Sequence, residues 1–126
     1  MLVRDEILGI RLPGKSAGHD NRGFRNAKVS ETAEIIALND SHSYGNPAKM
    51  NDAWPKVLAR LTGKNVYSLA MGDCGPNQCY YLLRTKAFGL KPATIICGLY
   101  MGDDFDNAYR ITNGLNYWPS LRCGGA

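Results

Sequence analysis

Three apolar runs, each followed by small polar residues, dominate the pattern of this chain. They extend from Glu34 to Leu38, from Asn65 to Met71 and from Ala93 to Met101. Short runs rich in branched residues and bounded by glycine, proline or polar residues are typical of buried strands. Amphipathic stretches lie between and after them, which predicts the order βαβαβα. Because crossovers of this kind are right-handed, the pattern predicts a parallel sheet in an α/β fold.

The segments that follow the strands carry helix signals. The first helix is predicted between Asp52, a candidate N-cap, and Gly63, a natural C-terminal stop. The second is predicted over about residues 76–89, and a short third helix begins at Asp103 or Asp104. The apolar positions of the first helix recur on one face, which predicts core packing: Trp54, Val57, Leu58 and Leu61.

Length and composition indicate one soluble domain with an arm. The chain has 126 residues, of which 44% are hydrophobic and 21% charged, and this suits a single globular unit. Residues 1–30 are polar and rich in glycine, which predicts an irregular arm with at most one short edge strand. Residues 31–126 are predicted to form the α/β domain.

Charge and hydropathy exclude several classes of partner. The net charge of +4 comes from scattered basic residues, a pattern that argues against nucleic-acid binding. No apolar stretch approaches the roughly 20 residues of a membrane span. The N-terminus becomes acidic at Asp5 and Glu6 before any apolar segment, so we expect no signal peptide. The compartment stays open, with the cytoplasm as the default.

The four cysteines are interpreted as free thiols. Cys97 falls in a predicted buried strand, where a thiol packs as a small hydrophobe. Cys74 and Cys79 lack the two-residue spacing of zinc knuckles and have no histidine nearby, and Cys123 stands alone near the C-terminus. We therefore expect neither a disulfide nor a metal centre at these residues.

Polar residues follow each predicted strand, and Ser41 follows the first. Gly72 and Asp73 follow the second strand, while Asp103 and Asp104 follow the third. Because open α/β sheets bind ligands at the carboxyl ends of their strands, this edge is the predicted site.

These segments resemble the SGNH (GDSL-type) hydrolases, a family of serine esterases. Residues 39–45 (NDSHSYG) resemble the first sequence block of the family, residues 68–76 (SLAMGDCGP) the second, and residues 98–104 (GLYMGDD) the third. Residues 20–26 also look like an arm that precedes the serine in some members. The resemblance implies a flavodoxin-like three-layer α/β/α fold in which the strands present have the order 2-1-3.

The resemblance also implies a serine-based ester hydrolysis at the carboxyl edge. Ser41 would be the nucleophile, and the oxyanion would meet the backbone N–H of Gly72 or Asp73 and the side chain at position 103. Asp40 and Asp104 would support these groups. This chemistry requires no metal or organic cofactor, and the expected substrate is a small-molecule or carbohydrate ester, more narrowly an O-acetyl group.

The sequence departs from the family at two catalytic positions, the side chain that binds the oxyanion and the histidine base. Asp103 stands where the family has an asparagine, and an ionised carboxylate cannot donate a hydrogen bond to an oxyanion. Losing one such donor typically costs about a hundred- to a thousandfold in rate. The family takes its base from a later Asp-x-x-His block, but the only histidines here are His19 and His42. Neighbouring side chains at a strand end point apart, so His42 is not the expected base.

The missing Asp-x-x-His block predicts an incomplete domain. Because the block carries the catalytic histidine of the family, its absence predicts weak or absent activity. The family normally carries about two more strands before the catalytic histidine, and we expect this chain to end before them. The third strand would then lie at an exposed edge. Ile95, Ile96 and Leu99 on such an edge predict self-association.

Two other interpretations of the same edge stay open. Four carboxylates follow the strands and suit a hard divalent cation, which would make the chain a non-catalytic binding module: Asp40, Asp73, Asp103 and Asp104. The simpler interpretation, which we favour, is that Asp103 and Asp104 cap the last helix and that Asp40 hydrogen-bonds its own turn. An interaction fragment without a ligand would use aromatic anchors instead: Tyr80, Tyr81, Tyr117 and Trp118.

Overall fold

The N-terminal arm contains a small sheet of its own. The computed structural model describes these parts of the chain: residues 3–5, 9–11, 18–45, 47–72 and 74–110. Strands β1 (Val3–Asp5) and β2 (Gly9–Arg11) pair antiparallel with each other. The arm thus has two short strands, not the single edge strand that the sequence suggested, and among the described residues neither joins the main sheet.

The main sheet has three parallel strands, β3 (Ile35–Leu38), β4 (Val66–Ser68) and β5 (Thr94–Cys97). Their order is β4-β3-β5, which confirms the predicted 2-1-3 arrangement and the α/β class. Ile35 lies opposite Val66 on one side and opposite Thr94 on the other. All four residues of β3 are buried because this strand has a neighbour on each side.

In the described part of the chain, α-helices follow the strands of the main sheet: α1 (Ser41–Tyr44), α2 (Trp54–Thr62), α3 (Pro76–Leu82) and α4 (Asp104–Tyr109). A π-helical segment, Leu83–Ala87, and a 3-10 turn, Phe88–Leu90, continue α3. None of the described helices is long and apolar enough to span a membrane.

Helix α2 differs from its prediction at both its start and its apolar face. Asp52 lies in a preceding 3-10 turn, Met50–Asp52, and Ala53 is the N-cap. Gly63 ends the helix in the left-handed region with φ of 68°, as expected. Leu61 is 80% exposed, so the predicted core-facing stripe fails at its last position, while Trp54, Val57 and Leu58 are half-buried.

A side chain of the arm covers the outer edge of β4. The Asn26 amide donates to the carbonyl oxygen of Ser68 (2.8 Å), and its own oxygen accepts from the Ser68 N–H (3.0 Å). The side chain thereby makes the two bonds that a neighbouring strand would make, so the edge is not available for pairing. Asp20 fixes this arrangement, since its Oδ2 accepts from Asn26 (3.2 Å) and from the buried Tyr67 hydroxyl (2.5 Å).

Strand β5 forms the other edge and is much less covered. Thr94 and Cys97 are exposed, while Ile95 and Ile96 are half-buried. The prediction of a buried Cys97 is therefore wrong, because β5 pairs on one side only among the described residues. Leu99, just past the strand, is 55% exposed. The expected exposed edge is present.

Candidate active site at the carboxyl ends of the strands

The three segments that follow the strands are hydrogen-bonded to one another. The Met71 N–H donates to the Asn39 carbonyl (3.0 Å), which extends the pairing of β3 with β4 as far as Met71. The Gly98 N–H donates to the Leu38 carbonyl (3.2 Å), which does the same for β5. A Cβ at Gly98 would lie 3.0 Å from the Ser43 Oγ, so glycine allows this close approach. The predicted edge is thus assembled as one site.

Ser41 is the first residue of α1, and this short helix is capped at both ends. Asp40 is the N-cap and accepts from the His42 N–H (3.0 Å), so it bonds its own turn as the sequence suggested. Gly45 ends the helix with φ of 85°, and its N–H donates to the Ser41 carbonyl (2.9 Å). A Cβ there would lie 2.4 Å from the Ala53 Cβ, so only glycine fits.

The arm holds the back of α1. The Arg25 guanidinium donates to the carbonyls of Tyr44 (2.9 Å), Gly45 (2.9 Å) and Ala48 (2.6 Å). These include carbonyls at the helix C-terminus, where a cation is favourable. His19 Nε2 lies 2.8 Å from the Tyr44 hydroxyl, so this histidine also belongs to the support. The arm therefore fixes the turn that carries Ser41.

His42 forms a carboxylate–imidazole pair with Asp40. His42 Nδ1 lies 2.8 Å from Asp40 Oδ2, and since a carboxylate only accepts, Nδ1 carries the proton. This hydrogen bond, with the charges of Asp40, Asp103 and Asp104, raises the pKa of His42 above its ordinary value. The His42 side chain is 59% exposed and rests against the Tyr100 ring, with centroids 4.2 Å apart. No hydrogen bond from a described residue to Nε2 accompanies the Nδ1 bond, so Nε2 carries the lone pair of the neutral ring.

Asn39 joins the first and third segments. Its amide donates to Asp104 Oδ2 (3.1 Å) and Asp40 Oδ1 (3.3 Å), and its oxygen accepts from the Cys79 thiol (3.5 Å). The hydrogen bond with Cys74 and burial raise the pKa of the Cys79 thiol, so it stays protonated and can donate. Asn39 has φ of 139°, a region that favours glycine, and glycine is the residue that the resemblance expects here. Its three hydrogen bonds offset that strain.

Three carboxylates meet at this edge. One oxygen from each of Asp40, Asp103 and Asp104 lies within 4.8 Å of the others. Asp104 is completely buried, and its Oδ2 accepts from the Tyr100 N–H (2.7 Å) as well as from Asn39. Its Oδ1 is buried without any hydrogen-bond partner among the described residues. Asp103 is exposed and occupies the N-cap position of α4 without making a side-chain capping bond.

Comparison with known proteins gives no match. Neither the family models nor the curated proteins nor the solved structures contain a significant similarity to this chain.

The structure brings together most of the predicted site residues. Asp40, Asp103 and Asp104 cluster beside Ser41, which is partly buried at the start of α1. Gly72 is exposed in a turn directly after Met71. Some predicted residues lie outside the described part of the chain: Asp73, Tyr117, Trp118 and Cys123. Cys74, Cys79 and Cys97 are free thiols, as expected.

Sequence reasoning missed the partnership of Asp40 with His42. The expectation that neighbouring side chains point apart applies to a strand, but the chain has already turned into α1 at Ser41. An aspartate at an N-cap bonds the N–H of the second or third helical residue, which brings that residue close to the carboxylate. An Asp-x-His sequence at a helix start is the signal that could have identified the pair.

Proposed function

We propose that this chain is an SGNH-type hydrolase of carboxylic esters, with Ser41 as nucleophile and His42, held by Asp40, as general base. The observation that carries the proposal is the carboxylate–imidazole pair beside Ser41 at the carboxyl end of the central strand. The proposal includes a flavodoxin-like arrangement of layers, which the parallel β4-β3-β5 sheet with its helices supports.

The pair supplies what a serine nucleophile needs. A serine hydroxyl attacks an ester carbonyl only when a nearby base removes its proton. With Nδ1–H bound to Asp40, the lone pair of His42 is on Nε2, and this atom takes the Ser41 proton directly or through one water molecule. It then returns the proton to the departing alkoxide. Asp40 keeps the ring in one tautomer and stabilises the imidazolium that forms.

Backbone donors supply the first part of the oxyanion site. The N–H of Ser41 is one of the unpaired donors at the start of α1, and the N–H of Gly72 lies on the adjoining segment. Donors fixed by the backbone need no reorganisation when charge develops on the carbonyl oxygen. Asp103 is the exception in this arrangement, because its carboxylate opposes a negative oxygen.

Apolar side chains beside the site suit the acyl or sugar part of an ester. Tyr100 is 44% exposed and packs on His42, while Met101 and Phe105 are also exposed nearby in sequence. Aromatic rings bind the apolar faces of sugars and acyl chains by removing their surface from water. We therefore propose an O-acetyl ester of a carbohydrate as the narrower substrate class.

The test is covalent labelling by a fluorophosphonate, followed by intact mass. We expect one adduct on the wild-type chain, none on Ser41→Ala and much slower labelling of His42→Asn. Ser43→Ala is the matched control, because it removes a hydroxyl from the same helix at a buried position. Labelling that persists in Ser41→Ala, or no adduct on a demonstrably folded wild type, contradicts the proposal.

Asp103 favours one second candidate, a binding module that performs no hydrolysis. A carboxylate at the oxyanion position suits a cationic ligand better than a reacting ester. Failure of the labelling experiment together with retained ligand binding at this edge would support the binding module.

A further inference from the structure

We propose that Asp40, Asp103 and Asp104 bind a hard divalent cation, Mg²⁺ or Ca²⁺, at the carboxyl edge of the sheet. This proposal of cation binding does not depend on the chain having hydrolytic activity. Its role in turnover, described below, rests on the proposed function.

The spacing of the carboxylates fits such an ion. One oxygen from each of the three residues lies within 4.8 Å of the other two. Oxygens bind Ca²⁺ at about 2.3–2.6 Å and Mg²⁺ at about 2.0–2.1 Å, so two ligands of one ion lie at most about 4–5 Å apart. The three side chains can therefore reach one ion with small rotations, and water would complete its coordination.

The buried oxygen of Asp104 points to a ligand independently of this spacing. Asp104 is fully buried, and two hydrogen bonds, from Asn39 and Tyr100, hold its Oδ2, whereas its Oδ1 has no hydrogen-bond partner among the described residues. A buried polar atom without a partner carries a full desolvation penalty, which native structures avoid. A cation that binds Oδ1 would remove this penalty.

The charge balance points the same way. Within residues 18–45, 47–72 and 74–110, His42 is the one side chain that forms an ion pair with any of the three carboxylates. No described lysine or arginine pairs with them. Three carboxylates this close repel one another strongly where water is partly excluded. A divalent cation reverses that repulsion, whereas the exposed His42 offsets only a part of it.

Such an ion would also explain the aspartate at position 103. A carboxylate there opposes the oxyanion of an ester hydrolysis, but a cation held by that carboxylate attracts it. The ion would then polarise the ester carbonyl in place of an amide donor. The aspartate at position 103 would then replace one stabiliser of the oxyanion, a side-chain amide, with another, a bound cation.

The experiment is calorimetric titration of the chelator-treated chain with CaCl₂ and, separately, MgCl₂. We expect saturable binding of one ion, weakened at least tenfold in Asp103→Asn and in Asp104→Asn. Asp106→Asn is the matched control, since Asp106 is an exposed acid on the same helix, and it should bind like the wild type. Asp103 is exposed, so its variant tests the site even if Asp104→Asn does not fold.

The outcomes separate this inference from the proposed function. No binding of either ion at about 10 mM, well above the range of weak protein calcium sites, overturns it. Equal loss in Asp106→Asn overturns it too, because that result indicates general charge attraction. Ion binding in a chain that the fluorophosphonate does not label supports the cation site and contradicts the hydrolase. Labelling without ion binding supports the hydrolase and contradicts the cation site.

Discussion

A buried aspartate lies near each edge of the sheet, Asp20 on one side and Asp104 on the other, and the two differ in their hydrogen bonding. On the covered side, formed by β4 and the arm residues that pack on it, Asp20 accepts from the N–H groups of Arg22 (2.8 Å) and Phe24 (3.2 Å). Its other oxygen accepts from Asn26 and Tyr67. On the open side, formed by β5 and the start of α4, Asp104 is equally buried, yet one of its oxygens has no hydrogen-bond partner among the described residues.

This contrast separates a structural carboxylate from one that is suited to bind a ligand. Both oxygens of Asp20 are engaged by the chain itself, so nothing is left for a ligand. Burial and the hydrogen bond to Asp20 raise the pKa of Tyr67, so its hydroxyl remains a donor. Asp104 has spare capacity at the place where Asp103 and Asp40 also converge. The covered side therefore uses its carboxylate entirely within the fold, whereas the open side leaves one carboxylate oxygen without a hydrogen-bond partner among the described residues.

The largest expected effect compares the same substitution at the two buried aspartates. Asp20→Asn replaces one accepting oxygen with an NH₂ group, which cannot accept from the donors that surround it. We therefore expect a loss of about 3 kcal/mol in the free energy of unfolding. Asp104→Asn keeps an oxygen for Tyr100 and Asn39 and removes a charge from an acidic cluster. Without a cation, we therefore expect a smaller loss of stability than for Asp20→Asn. Urea unfolding in chelator-treated buffer measures both.

Equal destabilisation by the two variants would end the distinction between the sides. It would mean that the free oxygen of Asp104 contributes as much to the fold as the fully bonded carboxylate of Asp20.

A second prediction concerns His42 on the open side. Because its hydrogen bond to Asp40 favours the protonated ring, we expect its pKa to lie above the ordinary value of about 6.5. Asp40→Asn removes the charge and the acceptor, so the pKa should fall. The measurement is an NMR titration of the two histidines in chelator-treated buffer, with His42→Asn to assign the signals. An unchanged His42 titration in Asp40→Asn would show that the pair does not form.

The smallest expected effect is weak self-association through the open edge. Leu99 is 55% exposed beside β5, whose outer side has no partner among the described residues. We propose that a second copy of the chain pairs there, and that Leu99→Lys weakens this association. Leu61→Lys is the control, because Leu61 is an 80% exposed leucine on α2, which packs on β4. Sedimentation over a range of concentrations tests this, and equal effects of both variants would contradict an edge-specific contact.

The strand pattern could be predicted from the sequence because it depends on local composition. The apolar residues of β3 to β5 and the glycines near their ends determine the elements, and the crossover rule then restricts the topology. The bond from Asp40 to its own turn is also local. Leu61 shows the limit, since helical periodicity defines a face but not how far the neighbouring strand covers it.

The contacts that define the site could not be predicted in the same way. Asn39 meets Asp104 and Cys79 only after the strands are aligned, and Asn26 replaces a strand at Ser68 across a long stretch of chain. Such contacts depend on register and on side-chain rotamers, which no short-range pattern specifies. The structure shows that Asp40, Asp103 and Asp104 come together and that Asp104 Oδ1 has no hydrogen-bond partner among the described residues.

The central position of β3 also has a consequence for biosynthesis. Its four apolar residues leave the ribosome before either partner strand exists, since the register joins Ile35 to Val66 and Thr94 much later in the chain. Pairings over long sequence separations form slowly. We therefore expect the nascent chain to expose this apolar segment until β4 and β5 have been synthesised.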